Sequence, residues 1–228
     1  MNYNRMIEWL YAFSEKVLAY LINIFYTFIL TLPVILVGLL IKGGDVISYP
    51  ILFIPLITLY FMAIKSLTYA IYKIVFKNES YYRPFFLHSL KENFMRNYLY
   101  YFIAVLLLYF GLNSTYIMIM RVSGAFWILF ALIIIMIIPN VIYTTMQFAL
   151  YETKSIKEII NNSFLLSAMY GIITVAMTFI FVWMVYNFPK FPFRVIAIGV
   201  PIYSLFLAYI HKLIESRLNK KIRGKHEK

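Results

Sequence analysis

The chain contains no cysteine, which excludes disulfides, thiolate metal centres and thiol nucleophiles. Charge is scarce too. Asp, Glu, Lys and Arg make up 13% of the 228 residues, against 63% hydrophobic, and a soluble domain of this length could not cover so much apolar surface. Acidic residues are the scarcest charges: there are nine, and none falls in the middle of an apolar run. That argues against a proton pump with a buried carboxylate relay, carboxylate-based catalysis and an intramembrane metal site. His88, His211 and His226 show no ligand spacing. The sequence carries neither a nucleophile motif nor a Gly-rich phosphate loop. It therefore reads as a non-enzyme, with no catalytic residues, no metal and no cofactor.

What the chain does have is long uncharged runs. Residues 17–41, 124–151 and 167–189 each hold more than eighteen consecutive residues without Asp, Glu, Lys or Arg. That is enough to cross a ~30 Å hydrocarbon core as helix. The runs are continuous rather than alternating, which disfavours a β-barrel. The pattern predicts an all-α integral membrane protein with a single multi-span domain over 1–228. About six transmembrane helices are expected, near 17–41, 46–72, 98–120, 124–151, 165–188 and 193–213, with five as the alternative. Residues 4–16 mix Arg5, Glu8, Glu15 and Lys16 with Trp9, Leu10 and Phe13 and read as an interfacial helix leading into span one, not as a cleaved signal peptide. Arg121-Val122-Ser123-Gly124 reads as a tight turn between spans three and four, and two prolines break the chain between spans five and six.

Charge asymmetry predicts orientation. Sixteen Lys and Arg residues fall on the side that holds both termini and four on the other, so both termini are expected in the cytoplasm of a plasma-membrane protein. Seven of the sixteen lie from Lys212 onward, and residues 214–228 form a basic cytoplasmic tail. The formal net charge of +12 points to an anionic inner leaflet as partner rather than to nucleic acid, because no aromatic or groove-reading module accompanies it.

Two basic segments interrupt the apolar runs. Ser89-Leu90-Lys91-Glu92 follows span two, and Ser155-Ile156-Lys157-Glu158 follows span four. A third basic segment, His211 to Lys221, follows span six, so the chain reads as three helical hairpins, each ending in a cytoplasmic amphipathic helix. In the first, Phe86, Leu90, Phe94 and Tyr98 recur every fourth residue as one apolar stripe, with His88, Lys91, Glu92 and Arg96 on the other side. In the second, Ser155 and Glu158 have capping-box spacing. His88, Lys91, Glu92, Arg96, Lys157 and Glu158 are thus the candidate surface for lipid or for a soluble partner such as a transport ATPase. The plainer reading makes these segments membrane-surface joints.

Within the spans, polar groups are few. Asn23 and Thr27 (with Thr31) share one side of span one, and Asn140, Thr144 and Gln147 one side of span four. Such groups serve either as interhelical glue or as the lining of a polar path. Lys65 is the one cation inside an apolar run. It is expected to snorkel toward the cytoplasmic surface, the alternative being a buried lysine that holds an anionic group.

Three segments resemble the YesL-like family of bacterial membrane proteins, a domain family of unknown function. They are "KVLAYLINIFYTFILTLPVILVG" at 16–38, "YYRPFFLHSLKENFMRNYL" at 81–99 and "YETKSIKEIINNSFLLSA" at 151–168, in the family's order. The start of span two departs from the family pattern, with Lys65 in place of an arginine and few small residues. The resemblance implies a multi-span plasma-membrane protein accessory to carbohydrate uptake, with a carbohydrate transporter component as partner; it brings no catalytic residues. A small permease with a polar-lined path between kinked helices is the alternative.

Overall fold

In the computed structural model of the protein, residues 3–40, 50–79, 84–121, 127–151, 155–188 and 190–226 are described, and every assigned element among them is helical. Helix α1 spans Tyr3–Leu40 and α2 spans Pro50–Ile71, continuing through a π-helical turn at Tyr72–Phe76. The short α3 (Phe85–Lys91) precedes α4 (Phe94–Arg121) and α5 (Trp127–Leu150). Then come α6 (Ile156–Met169) and α7 (Gly171–Asn187). A one-turn α8 (Pro192–Arg194) leads through a second π turn at Val195–Gly199 into α9 (Val200–His226).

Leu10–Val37, Pro50–Phe76, Phe94–Arg121 and Pro192–Arg217 are long and apolar enough to cross a membrane. The α6–α7 pair, bent by 105°, adds a fifth if it crosses as one span, and α5 is apolar over Ile134–Leu150. The protein is an all-α membrane protein. Helices fall on all six predicted segments, but among the described residues only four of them, or five with the bent α6–α7 pair, are long and apolar enough to cross a membrane, which favours the five-span alternative; the other differences lie at helix ends. No separate interfacial helix precedes span one, because α1 runs unbroken from Tyr3 for about 57 Å. The predicted start of span five, at 165, belongs to α6 instead. The turn at 122–124 and the start of span two at 46–49 lie outside the described residues, whereas the expected break near Pro192 is present.

Helix α2 forms the centre. Every residue from Tyr60 to Tyr72 is buried, as expected of a helix that is apolar all round and packs against α1, α3, α4, α5 and α9. Phe61 stacks on Tyr101 of α4 and on Phe181 of α7, with ring centroids 5.5 and 5.6 Å apart. The outer faces are apolar as well: Phe25 and Ile29 on α1, Leu107 and Phe110 on α4, and Phe179 and Trp183 on α7 are all exposed. Contiguous apolar surface of that kind suits lipid as solvent and not water.

The structure corrects the predicted helix at 83–97. Helix α3 ends at Lys91, Glu92 is extended, and Asn93 sits in the left-handed region with φ 49°, so α4 starts afresh at Phe94. The stripe Phe86–Leu90–Phe94–Tyr98 is therefore split between two helices, with Phe86 buried and Phe94 exposed. Asparagine tolerates this conformation better than most residues, and Asn78 (φ 54°) makes the matching turn just after α2.

Candidate functional site

Helix α3 has seven residues, too few to be stable alone, and its amides and carbonyls at either end lack partners within the helix. Two side chains from the crossing helices supply them. Asn23 of α1 accepts a hydrogen bond from the Phe86 amide at 2.8 Å and spends its own amide on the Ala19 carbonyl at 2.7 Å. Lys65 of α2 donates its ammonium to the Ser89 carbonyl, in the last turn of α3. A cation there also complements the negative end of the helix dipole. Both side chains are 1% exposed. Lys65 therefore does not snorkel outward as expected. It stands about 9 Å inside the last residue of α2, and a backbone carbonyl accepts from its ammonium.

Helix α6 is held by a ladder from α5. Ser163 is fully buried, and its hydroxyl donates to the Ile159 carbonyl at 2.8 Å. Its two lone pairs take Thr144 Oγ1 at 3.0 Å and Gln147 Nε2 at 2.9 Å. Gln147 also reaches the Ile159 carbonyl at 3.3 Å. Asn140 donates to the Ile160 carbonyl at 3.3 Å and accepts from the Tyr100 hydroxyl at 2.9 Å, joining α4, α5 and α6 through one amide. The cap at the start of α6 is the predicted box: the Ser155 hydroxyl accepts from the Glu158 amide, and the Glu158 carboxylate accepts from the Ser155 amide. At the far end, Thr174 lies 3.1 Å from the Tyr143 hydroxyl and donates to the Ser167 and Tyr170 carbonyls, bracing the bend between α6 and α7.

The polar positions read from the sequence thus fall into two clamps, one for each amphipathic helix. Asn23 and Lys65 hold α3; Asn140, Thr144 and Gln147 hold α6. Thr27 takes no part, because it donates back to the Asn23 carbonyl at 2.9 Å, and Thr31 does the same to Thr27 at 2.8 Å. The two Ser-apolar-Lys-Glu copies are not equivalent in the fold. Ser155 starts α6, whereas Ser89 is buried in the last turn of α3, which ends two residues later. The third basic segment is likewise not a separate amphipathic helix but part of the continuous α9.

Of the candidate surface residues, His88, Lys91, Lys157 and Glu158 are exposed, while Glu92 and Arg96 are half-buried. Arg96 lies over the Phe148 ring, 5.6 Å from its centroid. Sequence reasoning missed Ser163, although Ile156, Ile159, Ile160 and Ser163 follow the i, i+3, i+4, i+7 spacing of an inward face, which puts a hydroxyl at a core position. It also missed a polar cluster beside the π turn of α2. There the Tyr72 hydroxyl donates to Glu215 at 2.7 Å, Lys77 pairs with Glu215 at 3.7 Å, and His211 packs edge-on against Tyr72 and Tyr151. No family model matches the chain, and no curated protein or solved structure matches it.

Proposed function

We propose that the protein is a multi-pass component of a bacterial plasma membrane, with both termini in the cytoplasm, and that it acts as an accessory to carbohydrate uptake. In this role α3 and α6 form a rigid docking surface at the inner face, and His88, Lys91, Lys157 and Glu158 meet a soluble component of an importer. The observation that carries the reading is the pair of clamps. A joint between two spans needs only reach, and a short loop provides it. Here buried polar side chains from α1, α2 and α5 instead grip backbone atoms of both amphipathic helices. Burying such groups in an apolar bundle is costly unless the bonds are made, so the arrangement sets position as well as connection. The sixteen-to-four bias of basic residues supports the orientation, and the YesL-like segments support the link to carbohydrate import.

The absence of native cysteine makes the orientation directly testable. Single-cysteine variants His88→Cys, Lys157→Cys and Lys190→Cys are labelled in intact cells with an impermeant maleimide. Only Lys190→Cys is expected to react. Labelling of His88→Cys from outside would overturn both the topology and the docking role. With the topology upheld, affinity capture of the intact protein from cells importing sugars is expected to recover an importer component. The charge-reversed variant Lys91→Glu/Lys157→Glu is expected to lose it. Recovery of no such component by the intact protein would dispose of the accessory role.

A further inference from the structure

A groove of about 350 Å³ opens between α4, α5 and α6. Its walls are Leu99, Ile103 and Leu107 on α4, Ile137 on α5, and Ile160 and Phe164 on α6. The two polar side chains in its lining, Tyr100 and Asn140, bond to each other at 2.9 Å, and Asn140 bonds on to the Ile160 carbonyl. The surface on offer is therefore apolar, which suits a hydrocarbon chain and disfavours a sugar or an ion.

No charged residue lines the groove, but on two of its walls a basic residue precedes the apolar side chains on the same helix face. On α4, Arg96, Tyr100, Ile103 and Leu107 follow the i, i+4, i+7, i+11 spacing of a single face. On α6, Lys157, Ile160 and Phe164 follow i, i+3, i+7. Each wall thus begins with a cation in the first turn of its helix and continues with apolar side chains. Arg96 is steadied by the Phe148 ring and by a 3.4 Å contact from its Nε to the Asn97 carbonyl oxygen Oδ1. From Arg96 to Leu107 the α4 axis advances about 16 Å, close to half of a ~30 Å hydrocarbon core. The groove has the depth of one leaflet.

We infer that this groove is a site for an anionic phospholipid, with one acyl chain along the α4–α6 cleft and the phosphate between Arg96 and Lys157. A basic rim over an apolar cleft between membrane helices is the arrangement that selects acidic headgroups. The lipid would pack beside Asn140, which bonds to the Ile160 carbonyl in the groove wall, so its binding bears on how firmly α6 is held. The inference rests on the proposed function only for which leaflet supplies the lipid.

The test uses the full-length protein in nanodiscs of equal phosphatidylglycerol and phosphatidylcholine, released for native mass spectrometry. Phosphatidylglycerol is expected to be retained preferentially. At about fivefold per cation near the headgroup, Arg96→Gln/Lys157→Gln is expected to cut that preference by about 25-fold. Lys157→Gln alone, at an exposed position that cannot compromise folding, is expected to cut it by about fivefold. Ile103→Trp, which fills the cleft, is expected to reduce retention of both lipids, whereas Lys190→Gln leaves both unchanged. Preference surviving in the Lys157→Gln and double variants, or falling as far in Lys190→Gln, would overturn the site. So would undiminished retention in Ile103→Trp. Both leaflets of the disc have the same composition, so this outcome is independent of orientation and of any importer.

Discussion

Replacing Lys65 with methionine keeps most of the stem that packs inside α2 and removes only the ammonium. The Ser89 carbonyl then loses its donor, and at 1% exposure of Ser89 solvent cannot step in. A hydrogen bond to a charged group is worth about 1.5–3 kcal/mol net. Release of a buried cation works in the opposite direction, which favours the lower part of that range, about 1.5–2 kcal/mol. Helix α3 is short and ends at a left-handed turn at Asn93, so the loss is expected as local opening of α3 with the bundle intact. At about 1.4 kcal/mol per tenfold, the open population rises about 10- to 30-fold. Amide hydrogen exchange reads this directly: exchange over Phe86–Lys91 should accelerate by that factor, with Thr174–Phe181 in α7 unchanged. Equal acceleration in α7 would mean that Lys65 supports the bundle in general, and no acceleration in α3 would mean that the clamp contributes nothing. Either result refutes the reasoning.

Gln147→Leu preserves volume and removes two bonds to α6, so stability is expected to fall by about 1–2 kcal/mol in reversible detergent unfolding, at the usual worth of such bonds between membrane helices; unchanged stability would show that Ser163 and Thr144 suffice. Tyr203→Phe should move the other way. The Tyr203 hydroxyl is buried and meets no hydrogen-bond partner among the described residues, so its removal is expected to raise the free energy of unfolding by about 1 kcal/mol, and a clear loss of stability would contradict that account.

The polar positions were legible in the sequence, but their assignments were not. Asn140, Thr144 and Gln147 stand out because amides and hydroxyls are rare in a run of Ile, Met and Phe. Their partner Ser163 does not, because a serine in a mixed segment looks like surface until the inward face of α6 is known. The cap at Ser155 and Glu158 was readable because it depends on two residues three apart. The break at Asn93 was not, since nothing in "LKENF" outweighs the four-residue apolar period, and only the burial of Phe85 and Phe86 against α1 and α2 turns α3 away from the line of α4. For Lys65, proximity to the end of an apolar run measures depth and says nothing about which side of the helix faces the protein.

From sequence alone came the class of the protein, because crossing a bilayer depends on the length of uncharged runs, which is a property of consecutive residues. The joining of Asn23 to Phe86 across 63 positions, and of Lys65 to Ser89 across 24, came only with the tertiary structure. Those pairings depend on where whole helices pack, and that is settled by the sum of many contacts, with no trace in the local pattern of either partner.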